Sequence, residues 1–202
     1  IETVANRPDY FSKRIWNDLI SIALVNVDNL DEKYEWSLRP PEEYIDTDGW
    51  YSGQGMTSDT QKDCKSLKDV WSEICDVLDG NTVVAHNGFG FDMEVFIQSA
   101  KHYDLVLPKC KWLDTKYEFI KTDRLIGKES SLANLTTKYT TYDESNHHNA
   151  LADTIMLAGL YNYMTSQPRF DYVWSSRLMT KPVSDLETDK KLSQELFPTI
   201  KF

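Results

Sequence analysis

Strands alternating with helices, after an initial pair of neighbouring strands, predict an α/β domain: a mixed β-sheet flanked by helices. Three observations carry this. Leu19 to Val27 is a run of aliphatic and β-branched residues, as a buried strand requires. Thr82-Val83-Val84-Ala85 and Trp112 to Thr115 are short apolar runs that each lead directly into a helical pattern. Beyond His148, apolar residues fall at 152, 155, 156, 159, 160 and 163, the three-and-four spacing of a helix with one buried face.

The 202 residues suffice for one domain with a proper core, expected over 1–165, with 166–202 as an appendage that packs on it or binds a partner. Hydrophobic content of 41% and aromatic content of 12% place the chain among globular proteins. No apolar run reaches membrane length, since Ser21 and Asn26 interrupt the longest, so no membrane partner is expected. Cys64, Cys75 and Cys110 are odd in number and form neither a zinc-type pair nor a disulfide framework, which points to a reducing, cytoplasmic setting. A net charge of −10 argues against broad, salt-driven nucleic-acid binding but leaves room for a small site where metal ions meet one nucleic-acid end.

In chain order, residues 4–17 read as a loop around Asn6-Arg7-Pro8-Asp9. Asn29 and Asp31 mark a turn, and Lys33 to Leu38 alternates through Tyr34, Trp36 and Leu38 as a strand with one buried face. Residues 42–65, with Trp50, Tyr51, Gly53, Gly55, Met56 and Thr57, form a long connection of the kind that carries function. Ser66 and Asp69 make a capping box for an amphipathic helix through Leu67, Val70, Trp71, Ile74 and Leu78, closed by Gly80. The strand at 82–85 runs into His86-Asn87-Gly88-Phe89-Gly90-Phe91-Asp92 and a helix to about Tyr103. A helix through Tyr117 and Ile120 follows the strand at Trp112, then a short helix over Leu132 to Tyr139. The next helix spans about 148–164, capped by Asn146 or Asn149. The last forty residues carry Pro168, Pro182 and Pro198, with a helix expected near 186–196 and an extended segment through Phe170, Tyr172 and Trp174.

The carboxylates then claim notice. Asp92 stands where a strand ends and a helix begins, the place where open α/β sheets hold their ligands. Asp153 lies in the first turn of another helix, and Glu2 at the chain start. Five residues separate His148 from Asp153, about 140° on a regular helix, so the two converge only if His148 precedes the helix that holds Asp153. Carboxylates from separate elements suit hard divalent cations. A pair of such ions about 3.5–4 Å apart can drive phosphodiester hydrolysis, with His148 as a base titrating near neutrality. The blander alternatives are that Asp92 caps its helix, that Glu2 is a surface residue, and that His147 and His148 merely decorate an exposed helix start.

Three segments in order resemble the DEDDh family of 3′–5′ exonucleases, which includes proofreading subunits, RNase T and oligoribonuclease. Ile1-Glu2-Thr3 resembles the end of the family's Asp-x-Glu-Thr, Val84-Ala85-His86-Asn87 through Phe91-Asp92 its second motif, and His148-x-x-x-x-Asp153 its third. Gly55-Met56-Thr57 and Leu113-Asp114-Thr115 resemble two intervening features, and the resemblance covers residues 1–163. It implies a ribonuclease-H-like fold and two Mg2+ or Mn2+ ions on Glu2, Asp92 and Asp153. It also implies that His148 deprotonates the attacking water and that the substrate is a single-stranded or 3′-terminal nucleic acid. Thr3 and Met56 match positions that contact the terminal nucleotide, with Asn87 and Phe91 beside them. His86 and Asn87 are expected chiefly to orient the strand end, and Phe89 and Phe91 to pack in the core unless they stack a base. The family's first aspartate is expected immediately before Ile1, so the first strand is expected to be truncated. The interval from His86 to Asp92 exceeds the commonest family form by one residue, with slack from Gly88 and Gly90.

A catalytically impaired nucleic-acid-binding or protein-docking module on the same fold is the alternative. A hydrolase of other chemistry lacks its marks, for there is no Gly-x-Ser-x-Gly, no phosphate-binding Gly-Lys-Ser/Thr loop and no His-Glu-x-x-His.

Overall fold

The computed structural model describes residues 1–3, 19–39, 58–140, 149–170 and 176–178. Strand β1 (Glu2–Thr3) pairs antiparallel with β2 (Leu19–Asn26), and β2 with β3 (Asn29–Ser37). The hairpin turns at Val27 and Asp28, two residues earlier than the Asn29/Asp31 signal suggested. The asparagines on either side of the turn brace the corner: Asn26 Oδ1 accepts from Asp28 N at 3.0 Å and Asn29 Oδ1 from Asp31 N at 3.4 Å. In β3, Glu32, Tyr34 and Trp36 face inward and their neighbours outward, as the alternation predicts.

Helix α1 (Ser58–Asp63) replaces part of the expected long connection. It is polar and short, so no apolar period betrays it. Helix α2 (Leu67–Leu78) forms as read: Ser66 Oγ accepts from Asp69 N, Asp69 Oδ2 accepts from Ser66 N at 2.9 Å, and Leu67, Val70, Trp71, Ile74 and Leu78 are buried. Then come β4 (Thr82–Ala85), α3 (Asp92–His102), β5 (Lys111–Asp114), α4 (Thr115–Asp123), a 3-10 turn at Gly127–Ser130, α5 (Leu132–Tyr139) and α6 (Ala150–Thr165). A second 3-10 turn, Pro168–Phe170, leads toward β6 (Ser176–Leu178).

Strands β4 and β5 pair in parallel, with Ala85 opposite Asp114, and β6 runs antiparallel to β5. The described hydrogen bonds therefore define two three-stranded pieces, β1-β2-β3 and β4-β5-β6. One core joins them: Ile22 of β2, Ala85 of β4 and Trp112 of β5 share a cluster with Ile74 and Phe96 of α2 and α3. Trp71 stacks on Phe96 at 4.7 Å and donates its indole N–H to Val106 O at 2.7 Å. A second cluster holds Phe119, Leu135, Leu160, Met164 and Phe170.

Helix α6 corrects the expectation of a single buried face. Met156 and Leu160 are buried, but so are Ala150, Ala158 and Met164, whereas residues 152, 155, 159 and 163 are only partly covered. The helix packs on β2 along one side and α5 along another, so apolar residues are used around most of its circumference. Residues 4–17, Trp50, Tyr51, Tyr172, Trp174 and the helix expected at 186–196 lie outside the described residues.

Candidate active site

The site begins where β4 ends. His86 is half-buried and clamped on both ring nitrogens, with Nδ1 2.9 Å from Thr115 Oγ1 and Nε2 2.8 Å from Ser130 O. A carbonyl can only accept, so Nε2 carries the hydrogen and Nδ1 accepts from the threonine hydroxyl. Burial, opposed by the bond to Ser130, pushes the imidazole down to about 4, so it stays neutral and holds three elements together.

Asn87 then turns the chain with φ 66°, a left-handed conformation that asparagine tolerates. Its carbonyl accepts from Gly90 N and Phe91 N, both at 3.0 Å. The buried Asp114, at the end of β5, fixes this turn from below. One carboxylate oxygen accepts from Asn87 N at 3.1 Å and Tyr117 N at 3.2 Å, and the other from Phe89 N at 3.0 Å. Burial raises its pKa despite these three bonds. Gly88 answers a close approach rather than a need for slack: a Cβ there would fall 2.5 Å from Ala85 Cβ.

The turn delivers Asp92 as the first residue of α3. Phe91 occupies the cap position with no side-chain cap bond, so Asp92 is not the helix-capping residue of the blander reading. Its carboxylate lies instead at the helix's positive end, which favours an anion. The Ile1 nitrogen lies 3.4 Å from Asp92 Oδ1, which sets the start of β1 beside the start of α3.

Asp153 arrives from another direction. Asn149, not Asn146, caps α6, its Oδ1 accepting from Leu151 N at 3.1 Å and Ala152 N at 3.0 Å. Asp153 follows in the first turn, with its N–H on Asn149 O at 2.9 Å. Next to it, Thr154 Oγ1 donates to Ala150 O at 2.7 Å and stands 3.4 Å from Ala23 O of β2, which seats the helix on the sheet.

Ile1, His86, Phe91, Asp92 and Asp153 all line one cleft of about 1030 Å³ between β2, β4 and α6. The structure thus brings together two of the expected metal ligands and Phe91. Asn87 does not line that cleft; its Oδ1 accepts from Lys116 Nζ at 3.3 Å. Phe89 and Phe91 both pack on the core cluster, as expected of aromatic residues at such a junction. His102 is exposed. Glu2 and Thr3 are placed by backbone in β1, but their side chains, with His147, His148 and Met56, lie outside the described residues.

Two carboxylates from separate elements lining one cleft are a donor set that suits a hard divalent cation. Among the described residues no three His, Cys, Asp or Glu side chains gather to hold one, and the expected third ligand, Glu2, is not among those whose side chains are described. The organising roles of Asp114 and Thr115 escaped the sequence reading, though Leu113-Asp114-Thr115 was the signal that marked them.

This is a ribonuclease-H-like fold in which Asp92, just beyond the end of β4, and Asp153, in the first turn of α6, line one cleft. Residues 1–161 match the RNase_T family model, described as exonuclease, and the chain belongs to that family. Its fold is that of DEDDh exonucleases. The nuclease domain of 3′hExo, a DEDDh family member bound to rAMP, superposes with a TM-score of 0.67 at 14% identity, over 85% of this chain and 89% of that one. A 3′-exonuclease solved for 3′-end-specific recognition of a histone mRNA stem-loop gives 0.63 at 16% identity, over 85% of each chain. Exonuclease X in complex with 5′-overhanging duplex DNA gives 0.52 at 20% identity, over 74% of this chain and 84% of that one. No curated protein matches significantly. Among the described residues no helix is long and apolar enough to cross a membrane.

Proposed function

We propose that the chain is a divalent-metal-dependent 3′–5′ exonuclease that releases nucleotides from a single-stranded or 3′-terminal nucleic acid. The convergence of Asp92 and Asp153 on one cleft, within an exonuclease-family domain, carries this reading. Asp92 and Asp153, with Glu2, would hold two Mg2+ or Mn2+ ions, whose chemistry is to stabilise charge on the phosphodiester oxygens. His148 takes the proton of the attacking water; helix α6 begins at Ala150, so this residue falls before the helix and its cap, as convergence with Asp153 requires. Phe91 offers a ring at the cleft wall for the terminal base, and Thr3 and Met56 complete the nucleotide contacts; Asn87, expected beside them, lies outside the cleft and instead shapes the turn before Asp92. RNA and DNA are both substrates to be tried, since relatives of this fold were solved with each.

Digestion of 5′-labelled single-stranded DNA and RNA with Mn2+ or Mg2+ tests the reading. The expected product is a ladder shrinking from the 3′ end, stopped by chelator and reduced by at least about a hundredfold in His148→Ala, the scale of a lost general base. Undiminished ladders in both His148→Ala and Asp92→Ala would overturn the site. A chain that binds the oligomers and never shortens them would be a binding module.

A further inference from the structure

The connection between α4 and α5 stands out in a chain of net charge −10 because its solvent face is basic. Lys121, Arg124 and Lys128 are exposed, whereas Glu118 is fully buried and Asp123 is held by Arg169 at 3.2 Å. Glu129 is the exposed acid of this stretch. Neither Arg124 nor Lys128 has an ion-pair partner among the described residues. Arg124 (φ 55°) and Gly127 (φ 59°) both take the left-handed conformation, and the corner they form leaves Ile126 69% exposed between two cations. An exposed β-branched side chain framed by positive charge has no role in the second core cluster, to which Leu125 contributes.

The turn that follows this corner is tied to a residue of the cleft. Ser130, at the end of its 3-10 turn, accepts from His86 Nε2 at 2.8 Å. His86 and Leu132, on either side of that turn, line the same cleft as Asp92 and Asp153. Lys116, at the start of α4, reaches Asn87 in the turn before Asp92.

We infer that Arg124, Ile126 and Lys128 bind the nucleic-acid strand just upstream of its 3′ terminus, the cations on phosphates and Ile126 against the face of a base. The inference rests on the exonuclease reading above. A polyanion approaching an acidic protein needs a local basic track to reach a carboxylate-lined site, and this corner supplies one next to the turn that binds His86. An apolar tip between the cations gives an unstacked base a surface to cover, as wedging side chains do in other nucleic-acid complexes.

The test compares the parent chain with the double variant Arg124→Gln/Lys128→Gln and with Ile126→Ser. Binding of fluorescein-labelled single-stranded DNA and RNA is followed by anisotropy across a salt series. Hydrolysis of the p-nitrophenyl ester of a nucleoside 5′-monophosphate, too small to reach the corner, is followed alongside. In the double variant Kd is expected to rise by about fivefold or more, and the slope of log K against log salt to fall by roughly 1.4, for two phosphate contacts at ~0.7 each. Ile126→Ser should weaken binding at an unchanged slope, and both variants should hydrolyse the ester within about twofold of the parent. Parent-like Kd and slope in the double variant, or a parent that binds neither oligomer, overturns the inference. The ester reports on the exonuclease reading separately, because it needs the cleft and not the corner.

Discussion

At the scale of the residue, the candidate site is held in shape by two side chains, Asp114 and His86. Asp114 spends both carboxylate oxygens on backbone N–H groups of the turn before Asp92, and His86 ties that turn to Thr115 and Ser130. The carboxylates facing the cleft were legible from order and spacing. Asp114 was not legible as an anchor, because its three donors come from segments 3 to 27 residues away and only folding brings them to it. His86 gives this arrangement a pH dependence whose sign is fixed. Its folded pKa of about 4 lies below the ordinary 6.5, so its contribution is fully present above pH 6.5. That contribution is lost as pH falls toward 4, where the folded chain must accept a proton that the unfolded chain already holds. At ~1.4 kcal/mol per unit the full loss is roughly 3 kcal/mol. Urea unfolding of the parent and of His86→Gln at a series of pH values checks this. The variant should be the less stable at pH 7, and its deficit should shrink toward pH 4; a constant deficit would mean that the ring is not held neutral.

At the scale of the element, helix starts decide where the chemistry points. The box at Ser66 and Asp69 was readable because both partners lie within four residues. The cap of α6 was readable only as a choice between Asn146 and Asn149, and the structure decides it through the two N–H groups gathered by Asn149. What the apolar spacing of α6 could not reveal is that β2 and α5 cover it from two sides, since periodicity reports a helix and not the number of its neighbours. Asn149 has a double duty: it ends the segment containing His148 and begins the helix that holds Asp153. Asn149→Ala is expected to cost about 1 kcal/mol of stability, the usual worth of such a cap. Loss of turnover should exceed what that destabilisation explains at temperatures where the variant is still folded. Thermal unfolding and oligonucleotide turnover on the same samples separate the two effects. Turnover equal to the parent's would confine Asn149 to a structural role.

At the scale of the whole molecule, one core joins two hydrogen-bonded pieces, and a second cluster supports the far end of the helix that carries Asp153. That second cluster depends on residues beyond the 1–161 matched to the family. Phe170, 2% exposed, meets Phe119 edge to face at 5.1 Å. Arg169 lies 5.4 Å over Tyr139 and 5.7 Å over Tyr163 and pairs with Asp123, closing the cluster from outside. Sequence alternation marked Phe170 as a packing residue on an extended segment; it is buried, but from the 3-10 turn Pro168–Phe170, and its partners on α4, α5 and α6 could not be named without the fold. The 3-10 turn at 168–170 therefore acts as a buttress on α6. Phe170→Ala is expected to destabilise the chain by about 3–5 kcal/mol, as emptying an aromatic core site does. At low temperature, where the variant remains folded, its affinity for oligonucleotides should match the parent's, since neither Phe170 nor any other fully buried member of this cluster lines the cleft. Denaturant unfolding and anisotropy on one preparation check both halves. A drop below about 1 kcal/mol would show that the cluster closes without Phe170, and the buttress would then have to be sought in Arg169 and its tyrosines.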